Sequence, residues 1–220
     1  MWLVDVLFPP RCAGCGAAAA LLCAECVCSL RVLRPPWCER CGAPTAWPVG
    51  RCRECAGRRI AFARARAAIA YAGPGRALVH AWKERGLRPA AVLAADLVAA
   101  HVARPHVDAL VPVATHGERL LRRGHHPAAA LARELGQRWE LPVADVLVRS
   151  GGSHRQLGLH AQERRRNVRG AFTASNATPT TVALVDDVYT TGATASACAS
   201  ALRRAGAARV EVVAFARAVR

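Results

Sequence analysis

Two sets of residues in this chain have the types and spacing to do chemistry. The first is cysteine: eight of the ten form four Cys-x-x-Cys pairs, Cys12/Cys15, Cys23/Cys26, Cys38/Cys41 and Cys52/Cys55. Two intervening residues let a tight turn aim both sulfurs at one metal ion, and two such knuckles complete a tetrahedral zinc site with four thiolates. Four pairs therefore predict two sites. Sequential pairing groups Cys12, Cys15, Cys23 and Cys26 apart from Cys38, Cys41, Cys52 and Cys55, while interleaved pairing stays open at this level. With four thiolates at each site no labile position is left over, so both zinc ions are expected to be structural. The rival is a disulfide scaffold, which needs an oxidising compartment that the sequence gives no sign of entering. Cys28 and Cys198 read as ordinary small residues.

The second set lies in VALVDDVYTTGAT, residues 182–194. An apolar run meets two adjacent carboxylates, Asp186 and Asp187, and then a loop of small and hydroxyl residues. Like charges side by side cost energy unless each has a partner or water to face. The amides of Thr190, Thr191, Gly192, Ala193 and Thr194 can converge on a phosphate, aided by the start of a following helix. Carboxylates just before such a cradle suit a sugar, because they accept hydrogen bonds from vicinal ribose hydroxyls. The loop is neither a Walker loop nor a Gly-x-Gly-x-x-Gly turn. The plain alternative is a solvated Asp-Asp turn with a threonine cap.

Elements must hold these residues in place, and the pattern predicts which. Short apolar runs near residues 67–72, 108–114, 142–149, 170–173, 182–185 and 209–218 read as strands. Segments 75–86, 89–103, 127–139 and 194–205 read as helices, bounded by Gly86, Pro89, Pro142 and Gly206. Strands alternating with helices predict a mostly parallel sheet with helices on both faces, where ligands sit beyond the carboxyl ends of the strands. The organisation expected is a cysteine module at residues 1–58 and an α/β domain at residues 59–220.

The composition agrees with this scheme and adds a charge. Hydrophobic residues make up 53% of the chain but aromatics only 5%, which favours alanine-rich helices packed closely on a sheet. The formal charge is +16, and nearly all the basic residues are arginine, Lys83 being the only lysine. A lopsided Arg/Lys choice reads in part as genomic base composition. Even so, the charge favours an anionic substrate or a polyanionic partner. There is no uncharged apolar run of about 18 residues, so no membrane span is expected, and the chain reads as cytoplasmic.

VALVDDVYTTGAT resembles the phosphoribosyl pyrophosphate (PRPP) signature of type I phosphoribosyltransferases. The rest of the chain is similar to the ComF family, competence-associated phosphoribosyltransferase-like proteins with an amino-terminal double zinc ribbon. The matching residues, besides the four knuckles, are Tyr71 with Lys83-Glu84-Arg85-Gly86, and ALVPV followed by RLLRRGH. Gln156-Leu157-Gly158-Leu159 and ERRRNVRGAF, residues 163–172, also match. The resemblance implies that Asp186 and Asp187 hold the ribose hydroxyls, with or without Mg²⁺, and that Thr190, Thr191, Gly192, Ala193 and Thr194 cradle the 5′-phosphate. It further implies a pyrophosphate loop at residues 114–119, including Thr115 and Arg119, and a hood at residues 151–166 carrying Arg164, Arg165 and Arg166. Two departures stand out. VPVATH replaces the usual VPVPLH, and Arg123-Gly124-His125-His126-Pro127-Ala128 replaces RGFNQA; His125 and His126 either replace the lost polar contacts or, the favoured expectation, stand on the solvated surface.

The resemblance implies transfer of ribose 5-phosphate to an acceptor with release of pyrophosphate; no catalytic base is named, and nothing marks the acceptor. The alternative is a non-catalytic protein that handles single-stranded DNA, alone or with other DNA-uptake proteins, and keeps the PRPP site as a phosphate or effector pocket. Trp37, Trp47, Trp82, Trp139 and Tyr189 are the candidates for stacking on bases. The arginine clusters at 58–66 and 119–123 serve such a partner or simply face solvent. A third reading makes the zinc module a protein-docking adaptor.

Overall fold

The computed structural model describes residues 11–18, 21–115, 121, 124–149 and 171–219. A short helix in the cysteine module, α1 (Ala24–Cys28), precedes a sheet built from β1 (Ala65–Ala70), β2 (Ala109–Pro112), β5 (Thr181–Tyr189) and β6 (Arg209–Arg217). Its strand order is β1-β6-β5-β2, all parallel. Parallel neighbours need crossovers, and four helices provide them: α2 (Gly73–Arg85), α3 (Ala90–His101), α4 (Pro127–Trp139) and α5 (Ala193–Arg204). Apart from the sheet, β3 (Leu147–Arg149) and β4 (Phe172–Ala174) form an antiparallel pair.

Helix ends follow local chemistry. Pro74 and Pro127 stand in the first turns of α2 and α4, where a missing N–H costs nothing. Gly86 ends α2 in the left-handed region at φ 67°, a conformation open to glycine at no steric cost. Successive strand side chains alternate between faces, so each buried strand feeds two cores. Ala183, Val185, Val213 and Phe215 face α2, α3 and α4 together with Cys12 and Cys26. On the other face, Val182, Leu184, Val212 and Ala214 pack with α5, β3, β4 and Cys38, Cys41 and Cys55. The two halves of the cysteine module thus lie against opposite faces of one sheet. Between them, residues 31–33 run along the free edge of β1, where Leu33 N–H donates to Ala68 O at 2.9 Å and Ala70 N–H to Arg31 O at 2.8 Å. That pairing covers an edge that would otherwise be open.

Three expectations change. The strand expected at 182–185 runs on to Tyr189, so the two acids stand within β5 and not after it. Backbone pairing with β6 continues through them, Asp186 opposite Ala214 and Tyr189 opposite Arg217, because charge at a strand end does not stop the ladder. The single strand expected at 142–149 divides: Val143 bridges Leu110 in parallel at the sheet edge, and Leu147–Arg149 turns away to pair with β4. The histidine pair is not a solvated surface feature. The ring nitrogens Nε2 of His125 and His126 lie 2.8 Å from Trp82 O and 3.0 Å from Val113 O, joining the entry of α4 to α2 and to the end of β2.

Candidate functional site

The cysteines assemble as two clusters, Cys12, Cys15, Cys23 and Cys26, and Cys38, Cys41, Cys52 and Cys55, with the sulfurs of each within 4.8 Å of one another. This resolves the pairing as sequential. Zn–S bonds near 2.3 Å set tetrahedral sulfurs ~3.8 Å apart. The Cys15–Cys23 and Cys41–Cys52 Sγ separations are 3.7 and 3.6 Å. Both clusters use the same backbone device: Cys23 N–H points at Cys12 Sγ at 3.3 Å, and Cys52 N–H at Cys38 Sγ at 3.2 Å. Amides around Cys12, that of Cys15 foremost, lower its pKa to about 6. Burial raises that of Cys38, but the amides of Cys41, Cys52 and Arg40 outweigh it and bring the thiol down to about 7. Burial instead pushes the Cys26 thiol up to about 12 and that of Cys41 up to about 11, and raises Cys55 as well. Each cluster thus joins one easily ionised thiol to others that give up their protons only to a bound metal. The donor sets therefore fit two structural zinc ions. Cys28 is exposed and Cys198 buried, and neither joins a cluster.

At the carboxyl end of β5 the two acids meet a cation that no local pattern in the sequence assigns to them. Lys83 on α2 sets its Nζ 2.7 Å from Asp187 Oδ2. Asp187 is buried, and its N–H donates to Asp186 Oδ1 at 2.9 Å. Burial, and then the charge of Asp187, hold the Asp186 carboxyl well above the usual carboxylate range, and Lys83 only partly offsets this. Burial likewise pushes the Cys198 thiol up, with Asp186 adding to it. Two carboxylates and one ammonium so arranged can exchange a proton and a counter-charge for sugar hydroxyls or a cation. A signal for Lys83 was present: it is the single lysine among 31 basic residues.

The loop after β5 is the second part of the site. Thr190 and Thr191 are exposed, while Gly192 is buried at φ 71°. A β-carbon at Gly192 would collide with the Tyr189 hydroxyl, so the close approach admits only glycine. Gly192 caps α5, its carbonyl accepting from Ser196 N–H at 2.8 Å, and Ala193 and Thr194 open the helix. Free amides at a helix start favour an anion. Thr115, in the loop after β2, is half-buried. Arg119, Arg164, Arg165 and Arg166 lie outside the described residues.

From below, the loop is held by residues of the cysteine module. Arg58 donates from Nη2 to Thr191 O at 2.8 Å and from Nη1 to Glu54 O at 3.3 Å. Arg217, 1% exposed, donates to Cys41 O at 2.6 Å and to Glu54 Oε2 at 2.9 Å, and its guanidinium lies 4.7 Å from the Tyr189 ring centroid. Tyr189 is buried, which pushes its hydroxyl up to about 12 and keeps it protonated. Of the aromatic residues considered for stacking on bases, Trp82, Trp139 and Tyr189 are buried, whereas Trp47 is 68% exposed. Trp37 lies beside a basin of about 480 Å³ at the opposite end of the sheet, lined by Arg40, Arg51, Arg64, Arg66 and Arg209.

Two four-cysteine sites on opposite faces of a parallel sheet, with an acid pair and a glycine-dependent loop at the strand ends, define a zinc-ribbon α/β protein. Residues 3–56 match the double zinc ribbon domain family. Over 116 residues the chain is 35% identical to Competence protein F of Haemophilus influenzae, a match covering 50% of this chain and 51% of that relative. The chain thus spans about half the length of the curated relative it matches. Among solved structures it is similar to the glutamine PRPP amidotransferase of B. subtilis (19% identity, 57% of this chain and 26% of that one, TM-score 0.42). A second is an allosteric regulatory enzyme of purine biosynthesis (20% identity, 58% and 25%, TM-score 0.40). The chain thus carries a double zinc ribbon, and about half of it is similar to Competence protein F.

Proposed function

We propose that the carboxyl end of β5 binds PRPP, with a role in competence as in the relative's name. The observation that carries this reading is the run of Asp186 and Asp187, counter-charged by Lys83, directly into a glycine-dependent loop at the start of α5. In this reading the acids accept hydrogen bonds from the 2- and 3-hydroxyls of the ribose. The amides and hydroxyls of Thr190, Thr191, Gly192, Ala193 and Thr194 hold the 5-phosphate. Thr115, with Arg119, Arg164, Arg165 and Arg166, serves the pyrophosphate. Mg²⁺ arriving with PRPP supplies positive charge to the leaving group. If an acceptor is present, it bonds to C1 as the C1–O bond breaks and pyrophosphate departs with the electron pair. The chain's part is positioning and charge stabilisation.

Calorimetry with PRPP and Mg²⁺ tests the site. Asp187→Asn removes a charged acceptor worth roughly 1.5–3 kcal/mol, so affinity should fall by about 10- to 150-fold. Equal binding by wild type and variant would remove the ribose assignment. Release of pyrophosphate across a panel of acceptors then separates transfer from binding alone.

A second reading, handling of single-stranded nucleic acid, has one observation in its favour: the arginine-lined basin beside Trp37. Burial of Trp82, Trp139 and Tyr189 leaves few aromatic faces for bases. Oligonucleotide affinity that falls with salt, with a log–log slope of about −0.7 per phosphate contacted, would support it. A flat response would count against it.

A further inference from the structure

We infer that the second zinc site, Cys38, Cys41, Cys52 and Cys55, is the anchorage of the loop at residues 190–193, so that metal there sets whether the loop keeps its ligand-ready shape. That this shape serves a phosphorylated ligand rests on the reading above; the anchorage itself does not.

The contacts form a continuous path. Cys41 presents its carbonyl to Arg217 Nη1 at 2.6 Å and its sulfur to Nη2 at 3.5 Å. Glu54, next to the ligand Cys55, takes the same Nη2 at 2.9 Å. The Arg217 guanidinium covers the ring of Tyr189, whose other neighbour is Phe62, edge-on at 6.2 Å between centroids. The Tyr189 hydroxyl in turn occupies the space that a β-carbon at Gly192 would need. Arg58, three residues past Cys55, reaches the loop directly through Thr191 O. Ala61 N–H donates to Ser196 Oγ at 3.2 Å, and Ser196 N–H holds Gly192 O.

The links that start from the cysteine module depend on the knuckle being closed. The Cys41 carbonyl, Glu54 and Arg58 all belong to turns whose shape the four sulfurs dictate, and a small module of this kind holds its turns through metal. Without it, Arg217 would keep a buried guanidinium with its principal acceptors displaced, an arrangement costly enough to drive rearrangement. The first cluster has a different connection. Gly14 sits against Cys26 and Pro74, so that cluster supports the start of α2 on the other face of the sheet. Among the described residues no hydrogen bond from Cys12, Cys15, Cys23 or Cys26 reaches residues 189–196. The two zinc sites are thus unequal: the second is tied to the ligand loop, and loss of its metal by chelation or thiol oxidation would disable the site without touching a ligand-contacting residue.

The test compares Cys52→Ser, which opens the second site, with Cys15→Ser, which opens the first, and with Arg58→Ala, which leaves all eight ligands in place. Zinc content, amide hydrogen exchange across residues 189–196 without ligand, and PRPP calorimetry are measured on the full chain. Each cysteine variant should lose one zinc per chain. Loop exchange should quicken about tenfold or more in Cys52→Ser, and stay within about twofold of wild type in Cys15→Ser. Arg58→Ala should keep both zinc ions and quicken loop exchange about fivefold, the loss expected for one hydrogen bond. Equal loop exchange in the two cysteine variants would overturn the anchorage. Should Cys52→Ser lose protection throughout β1 and β6, the Arg58→Ala result decides, and unchanged loop exchange there would also overturn it. If the wild type does not bind PRPP while loop exchange follows the second zinc, the ligand assignment falls and the anchorage stands. If Cys52→Ser quickens loop exchange yet binds PRPP as the wild type does, the anchorage stands and its control of ligand binding falls.

Discussion

At its carboxyl end the sheet crowds two carboxylates, Asp186 and Asp187, against one lysine; at its amino end it crowds two arginines, Arg64 and Arg209, against one carboxylate. The stoichiometry is mirrored, yet the solutions differ. Glu211, 4% exposed, accepts from Arg64 Nε at 2.7 Å through Oε2 and pairs with Arg209 Nη2 at 2.8 Å through Oε1. Guanidinium groups do not shed protons, so the arginines keep their charge and turn outward, their side chains 41% and 53% exposed. Carboxyls can take a proton, and at the other end Asp186 has its pKa raised by burial and by Asp187. The amino end is a finished ion cluster. The carboxyl end holds a charge balance that an incoming ligand can change, which is what a binding site needs.

The largest effect that sharpens this contrast concerns Glu211. Glu211→Gln leaves Arg64 and Arg209 without their shared counter-charge, and after allowance for their exposure the cost is about 1–2 kcal/mol. The thermal midpoint should drop by roughly 3–6 °C for a chain of this size. PRPP affinity should stay within about twofold, because the cluster stands at the far end of the strands. Asp187→Asn should show the reverse: weaker PRPP binding, with a change in stability below about 1 kcal/mol, since losing the Lys83 pair is offset by relief of repulsion on Asp186. Melting curves and titrations of both variants check the pair. A drop in PRPP affinity for Glu211→Gln matching that of Asp187→Asn would break the comparison.

What could be read beforehand divides along the same lines. The Cys-x-x-Cys pairs and the Asp186-Asp187 loop were legible because each is a local arrangement, with donors a few residues apart in a turn or at a strand end. The pairing of the knuckles was not, since spacing shapes one turn and says nothing of which turns meet. Lys83 was visible as a lone lysine, but its partner lies across a crossover and two helices. Arg217 shows the limit most clearly. An arginine at the end of an apolar strand reads as the point where the chain leaves the core, yet it is buried against Cys41, 176 positions earlier. Nothing local to either residue encodes that meeting. It follows from the cysteine module folding back over the carboxyl end of β6. The apolar run at 182–185 understates its strand for a related reason: two acids end the run, while the backbone ladder to β6 takes no account of side-chain charge.

A subtler effect tests whether the carboxyl end is adjustable in the sense claimed. The folded protein raises the Asp186 pKa, so the folded state binds this proton more tightly than the unfolded chain does. The sign follows directly. Below the ordinary carboxylate range both states are protonated and Asp186 carries no penalty; as pH rises from that range towards the raised value, the unfolded chain ionises first and wild-type stability declines. Above the raised value the full penalty remains. Asp186→Asn cannot ionise, so its stability should lack this decline, and at neutral pH it should equal or exceed the wild type while PRPP binding weakens. Denaturant unfolding at a series of pH values, set beside calorimetry, measures both halves. A wild-type curve that runs parallel to that of Asp186→Asn across this interval would mean that Asp186 is not held protonated in the free protein. The two ends of the sheet would then be equally fixed ion clusters, and the difference between them would have to come from the loop alone.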